Sequence, residues 1–450
     1  MSSEFSKTVL ALPQRTGWFS DGRLKKLFAN AGILLGGKGL NAVFSLGALA
    51  VAARALGTEA FGALILIHTF AQAMGEIAKF QSWQAVLRYG TPAVMEGRTG
   101  DFQRLLRFTV ALDGLSAVVG TLLSMALAWV VAPYLGWPAD LMPAVMLYAT
   151  SMLFMVTATP TGVLRLVDRF DLLSVQGSLG NVVRLLAGGL VWLCGGGIGW
   201  FLAAWYLGTA VAGLALFHFG WRELKTRGLL DGFRWRGGGW TAGFPGIWSF
   251  VWSTNLNTTL ELAFTHVSTL IVGWLLGPAE AALFRVARQI GEALAKPAKL
   301  LVPAIYPELA KLCAGGEHHI MRALVQRSAL MAAGGASLSL ALAWLGGEWL
   351  LGLVLGPDFV AAYPVMLWLV ASAVVSIAAF PLEPVLISGG EAGAAVRARL
   401  WSSAAYLPVL LLAVQQYGLI GAGWARLFAT VVTFVAFLIP VMRWFRARTA

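Results

Sequence analysis

Between Ala282 and Tyr306 an otherwise apolar stretch carries Arg285, Arg288, Glu292, Lys296 and Lys299. At the helical step of about 100° per residue these fall at about 0°, −60°, −20°, +20° and −40°, one charged arc of roughly 80°. Such a helix cannot turn that face to lipid, because each Lys or Arg at mid-bilayer costs about 2.5–3.5 kcal/mol. If it spans a membrane, the charges line a wet cavity suited to an anion; the alternative is a helix lying on the membrane surface. A second stripe, His68, Gln72, Glu76 and Lys79, falls at about 0°, 40°, 80° and 20° of another apolar helix.

The elements that position these residues are set by composition. The 450 residues are 58% hydrophobic and only 12% charged, with a mean hydropathy of +0.75; soluble domains carry about 25% charge. The expectation is an all-α integral membrane protein. A formal charge of +12 then has to be read by position, as topological anchoring, and no nucleic-acid partner is expected.

Apolar runs of membrane-spanning length occur near 28–53, 61–83, 106–132, 141–163, 172–194, 198–220, 246–275, 282–305, 328–351, 363–387, 400–416 and 420–442, giving twelve predicted spans. The division is a cytoplasmic tail (1–27), an amino-terminal lobe of six spans (28–220), a cytoplasmic linker (221–245), a carboxy-terminal lobe of six (246–442) and a second cytoplasmic tail (443–450). With both termini inside, the outer loops hold only Arg54 among the 33 basic residues, the expected positive-inside bias. A surface helix at 282–306 would turn every later basic loop outward, so the spanning alternative is favoured. Cys194 and Cys313 then lie on opposite sides of the membrane and form no disulfide. Trp129, Trp137, Trp192, Trp200, Trp274 and Trp349 fall near outer ends and read as interfacial anchors.

A shift of 220 residues aligns Leu56-Gly57 with Leu276-Gly277, Lys79 with Lys299, and Leu135-Gly136 with Leu355-Gly356; two further residues bring Ile198-Gly199 onto Ile420-Gly421. Two parallel repeats related about the membrane normal are predicted. The same shift sets His68, Gln72, Glu76 and Lys79 opposite Arg288, Glu292, Lys296 and Lys299, and Lys38 and Asn41 of span one opposite Thr258 and Glu261 of span seven. Spans one, two, seven and eight are therefore expected to line one central cavity. Lys38, Lys79, Arg285, Arg288, Lys296 and Lys299 outnumber Glu76, Glu261 and Glu292 there, so the cavity attracts an anion, although the acids also fit local ion pairs with the lysines. Arg184 and Arg426 extend this cavity or satisfy carbonyls between helices.

Other signals are weaker. Gly32 to Gly39 nearly matches a P-loop, but Gly39 stands where the hydroxyl ligand belongs and no strand precedes it, which argues against an ATPase. His318-His319 reads as a solvated pair, and no metal site is expected. Asp113 and Glu383 receive no role.

Three stretches, AARALGTEAFGALILIHTFAQAMGEIAKFQSWQAVLRYG (52–90), FRVARQIGEALAKPAKLLVPAIYPELAKL and LGPDFVAAYPV, resemble the polysaccharide or O-antigen flippases (Wzx-like) of the multidrug/oligosaccharidyl-lipid/polysaccharide exporter superfamily. The resemblance implies a two-lobed, V-shaped helical transporter of the bacterial inner membrane, not an enzyme. It would move an undecaprenyl-diphosphate-linked oligosaccharide to the outer leaflet by alternating access, without a cofactor and with H⁺ or Na⁺ as conceivable coupling ions, alongside a polymerase and other assembly proteins. On that reading Lys79, Arg288 and Lys299 contact the diphosphate, with Lys38, Arg285 and Lys296 along its path. Multidrug exporters and lipid II flippases of the same superfamily are the alternatives; the former often carry an acid in span one, where this chain has Lys38 and Asn41. A membrane glycosyltransferase or ligase would need a larger extracytoplasmic region.

Overall fold

The structure, a computed structural model, describes residues 22–235, 239–299 and 302–449. Within them the side chains of 22–38, 256–265, 294–299, 302–304, 306, 307, 310, 392 and 449 lie outside the description. The chain is helical throughout, and no strand occurs among the described residues. In order the helices are α1 (Gly22–Ala78), α2 (Ser82–Met95), α3 (Thr99–Val131), α4 (Met142–Ala149), α5 (Met152–Met155), α6 (Ala158–Leu166), α7 (Phe170–Leu193) and α8 (Ile198–Thr226). They continue with α9 (Ile247–Leu276), α10 (Pro278–Lys299), α11 (Val302–Ala314), α12 (His318–Leu355), α13 (Tyr363–Ala378), α14 (Leu382–Ser388) and α15 (Ala392–Thr449).

By length and composition, seven stretches among the described residues can cross a membrane, and the helices α1 and α15 are 57 and 58 residues long. A straight helix of that length would run about 85 Å, well over twice the hydrocarbon thickness, and each of the two reverses direction. In α1 the reversal is at Gly57 (φ 70°, ψ 179°), a backbone state that glycine alone adopts without strain. Asn181 of α7 accordingly meets both arms: it bonds Asn41 and lines one cavity with Gln72 and Glu76. In α15 it is at Gly418 (φ 58°, ψ −142°), and Arg426 lies 5.8 Å from the centre of the Tyr406 ring; an unbroken helix would hold them about 30 Å apart. Gly277, between α9 and α10, has φ 99° and ψ 176°, nearly the conformation of Gly57 at the 220-residue shift.

Span four departs from expectation. Instead of one helix over 141–163 there are three pieces, α4, α5 and α6, broken at Val156 (φ −81°, ψ 88°) and Thr157 (φ −125°, ψ 27°). Pro160 explains the break, since its ring excludes a helical carbonyl at residue 156. Span two likewise stops at Ala78 and restarts at Ser82. Asp113 joins the two restarts: Ser82 Oγ donates to its Oδ1 at 2.6 Å and the Thr159 N–H to its Oδ2 at 2.7 Å.

The largest apolar core crosses both sequence halves near Gly57, where Phe61, Phe284, Phe359 and Val365 are almost fully buried. There the Phe61 and Phe359 rings stand edge to face at 5.6 Å. Gly62 lies so close to the Pro278 carbonyl that a Cβ would come within 1.9 Å of its oxygen. Trp137, expected at the lipid interface, is instead 6% exposed in this core and packs on Phe70 at 5.5 Å. Trp129, Trp192, Trp200, Trp274 and Trp349 are exposed as expected.

Toward the far ends of the helices the halves keep separate cores, one around Leu309, Met321 and Trp444 and one around Phe102, Val163 and Leu224. The first turns of α9 pack on the amino-terminal half, Ile247 and Val251 with Ala85 and Phe108 of α2 and α3. The connection before α9 is tied to α3, with Gln103 Nε2 donating to the carbonyls of Leu229 and Asp231 at 3.1 and 2.9 Å. At that end Asp171 opens α7, and hydrogen bonds from Arg169 hold its carboxyl below the ordinary aspartate range.

Candidate functional site, a cationic cavity

Arg184 sits midway along α7, on the face turned to α1 and α8. Its Nη2 donates to Thr209 Oγ1 at 2.9 Å, and its Nη1 is 3.5 Å from His68 Nε2. His68 is held in turn by the Tyr148 hydroxyl, 2.6 Å from Nδ1, and by the edge-to-face Trp205 ring at 4.8 Å. Because Tyr148, His68 and Thr209 come from three helices, the guanidinium is fixed by tertiary packing. Its Nε is buried without a partner among the described residues.

Two cavities meet at this residue. The larger, about 270 Å³, is lined by Gln72, Glu76, Lys79, Gln176, Asn181 and Arg184, with His266 of α9 at its edge. The smaller, about 20 Å³, is lined by Ser45, His68, Arg184, Arg285 and Gln289. Gln289 Nε2 donates to Ser45 Oγ across the sequence halves at 3.1 Å. Among the described residues no carboxylate lies within ion-pair distance of Arg184 or Arg285. Two guanidiniums with no ion-pair partner among the described residues repel each other and leave charge only partly compensated. A bound anion removes both costs, and a guanidinium fork matches phosphate or carboxylate oxygens.

The predicted site residues divide accordingly. Lys79 lines the larger cavity with Glu76 at a loose 4.0 Å; Gln72 lines it too, and Asn41 reaches its rim through the 2.7 Å bond to Asn181. His68 is buried and supports Arg184. Arg285 faces the smaller cavity. Arg288, expected at the anion, pairs with Glu292 one turn away, Nε to Oε1 at 2.8 Å, and its Nη1 reaches Ser268 Oγ and Thr269 Oγ1 at 3.2 and 3.3 Å. Arg426 stacks on Tyr406 and lines neither cavity. The side chains of Lys38, Glu261, Lys296 and Lys299 lie outside the described residues. Arg184, read from sequence only as an extension, lines both cavities, as does Asn181. His266, Tyr148 and Thr209 carried one signal each, a polar group in an apolar span, and were passed over. Glu383 pairs with Arg399 at 2.9 Å, and no metal-ligand cluster occurs among the described residues.

Known proteins with this architecture transport substrates across membranes. An inward-facing multidrug resistance MATE family transporter of the MOP superfamily superposes with a TM-score of 0.70 at 13% identity, covering 93% of this chain and 99% of its own. The lipid II flippase MurJ, in an inward closed conformation, gives 0.70 at 11% identity over 92% and 89%. At such identities the likeness establishes the fold. In sequence, the inner membrane protein YghQ of Escherichia coli (strain K12) is 33% identical over 347 residues, 77% of this chain and 97% of its own length. The profile of the polysaccharide biosynthesis protein family matches residues 27–313. This multi-pass membrane protein therefore belongs to the polysaccharide biosynthesis family, on a fold shared with transporters of the MOP superfamily.

Proposed function

We propose that the protein is a flippase that carries an undecaprenyl-diphosphate-linked oligosaccharide from the cytoplasmic to the periplasmic leaflet of the bacterial inner membrane. It works by alternating access as a transporter, without enzymatic chemistry. The chain makes twelve passes with both termini in the cytoplasm, in two lobes (28–220 and 246–442) joined by the linker 221–245. The hairpins at Gly57 and Gly418, and the matching backbone of Gly57 and Gly277, favour this topology. The basic-loop asymmetry puts the Gly57 end outside. With a shared core at that end and separate cores at the other, the cavity opens toward the cytoplasm, where the lipid-linked substrate is made.

The observation that carries the reading is the convergence of Arg184 and Arg285, with no carboxylate at ion-pair distance among the described residues, on adjoining cavities. A diphosphate is the anion that a lipid-linked glycan brings. Lys79 adds a third cation, and the lipid tail stays in the bilayer. Lys38, Lys296 and Lys299 extend the cationic path toward the cytoplasm, Arg288 and Glu292 serve as a neutral pair beside it, and H⁺ or Na⁺ supplies the driving force. The test is a strain lacking the gene, complemented with quantified membrane expression and run beside a drug-efflux assay. Arg184→Ala and Arg285→Ala should each abolish glycan export at normal protein level, and Arg184→Lys should restore it partly, since a lysine lacks the bidentate fork. Full export by the double alanine variant overturns the proposal, and drug efflux in place of glycan export would assign the chain to the exporters.

A further inference from the structure

The larger cavity holds one group that a diphosphate cannot use. Among the described residues, Glu76 Oε2 is buried and accepts no hydrogen bond, and its other oxygen has only Lys79 at 4.0 Å. An ionised phosphate has no proton to donate and is repelled by a carboxylate, so Glu76 is wrong for the anion. It is right for an O–H or N–H donor, and an unmet buried acceptor costs enough to be worth satisfying.

The groups around it complete a matching pattern. The Gln72 amide makes no hydrogen bond among the described residues. Asn181 gives one N–H to Asn41 Oδ1, which leaves its carbonyl oxygen and second N–H for another partner. Gln176 is held only by a 3.3 Å bond to the Ala212 carbonyl. One carboxylate and three amides offer donors and acceptors interleaved, as a ring of hydroxyls requires, whereas sites for drug-like molecules are lined mostly by apolar groups. At about 270 Å³ the chamber falls just below the usual range of roughly 300–1,000 Å³ for ligand sites, room for one pyranose ring and too small for an oligosaccharide. Arg184 stands where the chamber joins the narrow slot of Arg285. A phosphate on Arg184 therefore places the sugar bonded to it in the chamber.

We infer that this chamber, lined by Gln72, Glu76, Gln176 and Asn181, is a monosaccharide subsite that recognises the diphosphate-proximal sugar of the lipid-linked substrate. The inference rests on the diphosphate reading of Arg184, and the two are separable. The full-length protein in detergent is titrated with undecaprenyl diphosphate, and with the same lipid carrying one hexose, one 6-deoxyhexose or one N-acetylhexosamine. The wild type should bind at least one glycosylated lipid about tenfold or more tighter than the bare lipid, the gain expected of one or two buried hydrogen bonds. Gln72→Leu and Glu76→Leu should each bring that ratio close to one. Equal affinity of the wild type for all four lipids, or a ratio that survives Glu76→Leu, overturns the subsite. Arg184→Ala, with Arg184→Lys and thermal melting to establish that the variants are folded, reports on the diphosphate alone. Undiminished binding of bare undecaprenyl diphosphate by Arg184→Ala would defeat the diphosphate reading, whatever the sugar ratio.

Discussion

Arg54 gives the sharpest test of how the two halves are held at the Gly57 end. Its Nε donates to the Val354 carbonyl at 3.0 Å and its Nη2 to the Leu353 carbonyl, about 300 positions away in sequence. Those carbonyls belong to the last turn of α12, which has no helical partner for them and carries the negative end of the helix dipole. A charge-assisted bond is worth about 1.5–3 kcal/mol when buried, but Arg54 is exposed and water competes, so about 0.5–1 kcal/mol each is the right scale. Arg54→Ala should therefore weaken closure at this end by about 1–2 kcal/mol, roughly a 5- to 30-fold change in the closed-to-open ratio. The Phe61–Phe359 pair is untouched and keeps closure favoured. With Cys194 and Cys313 replaced by serine, spin labels at the exposed positions 134 and 350 read the separation by double electron–electron resonance. An open population of about 1% should rise to about 5–25%, seen as a longer-distance component. Superimposable distance distributions for wild type and a folded Arg54→Ala would refute the argument, because the two carbonyl bonds would then contribute nothing to closure.

Two further outcomes are expected. Asp113→Leu strands the Ser82 hydroxyl and the Thr159 N–H at the restarts of α2 and α6, at about 1–3 kcal/mol for each group; the melting temperature should fall clearly, and by less for Asp113→Asn, whose amide oxygen still accepts one bond. A wild-type melting temperature for Asp113→Leu would remove the staple. Cys194, exposed after α7, should react with a membrane-impermeant maleimide added to intact cells, and Cys313, beside the Ser388 carbonyl, only after lysis; labelling of Cys313 in intact cells would reverse the topology.

What could be read from the sequence followed from local or periodic physics. The apolar runs give the helices, because a bilayer forces backbone groups to pair within each segment. The Leu56-Gly57 and Leu276-Gly277 match at the 220-residue shift was visible in the sequence, and the structure gives both glycines a positive φ. The Arg288–Glu292 pair was accessible as an i,i+4 spacing. Arg184 was not, because its importance comes from Tyr148, His68 and Thr209, brought around it from three other helices, and from having no ion-pair partner among the described residues. The break of span four could have been found in Pro160 and was missed because the run is apolar throughout.

The two sequence halves align at a nearly constant offset while distributing their charge differently, and this bears on where a substrate's polar part can rest. In the amino-terminal half the cation is on α7 and the aromatic partner on α8, with Arg184 5.4 Å from the Trp205 ring centre. At the 222-residue shift that fits this part of the chain, Arg184 corresponds to Tyr406 and Ala204 to Arg426; in the carboxy-terminal half the aromatic is on the first arm of α15 and the cation on the second, 5.8 Å apart. The stacking is retained, but the cation is moved to the other helix and lines neither cavity. Glu76 corresponds to Lys296, and Gln72 to Glu292, which is taken up by Arg288. An unpaired guanidinium beside an unsatisfied carboxylate and free amides is thus built in the amino-terminal half and has no counterpart among the described residues of the other. On the proposed reading, an asymmetric site can hold an anionic headgroup against one half while the other moves past it, whereas two equal sites would divide the anion between the halves and resist their separation.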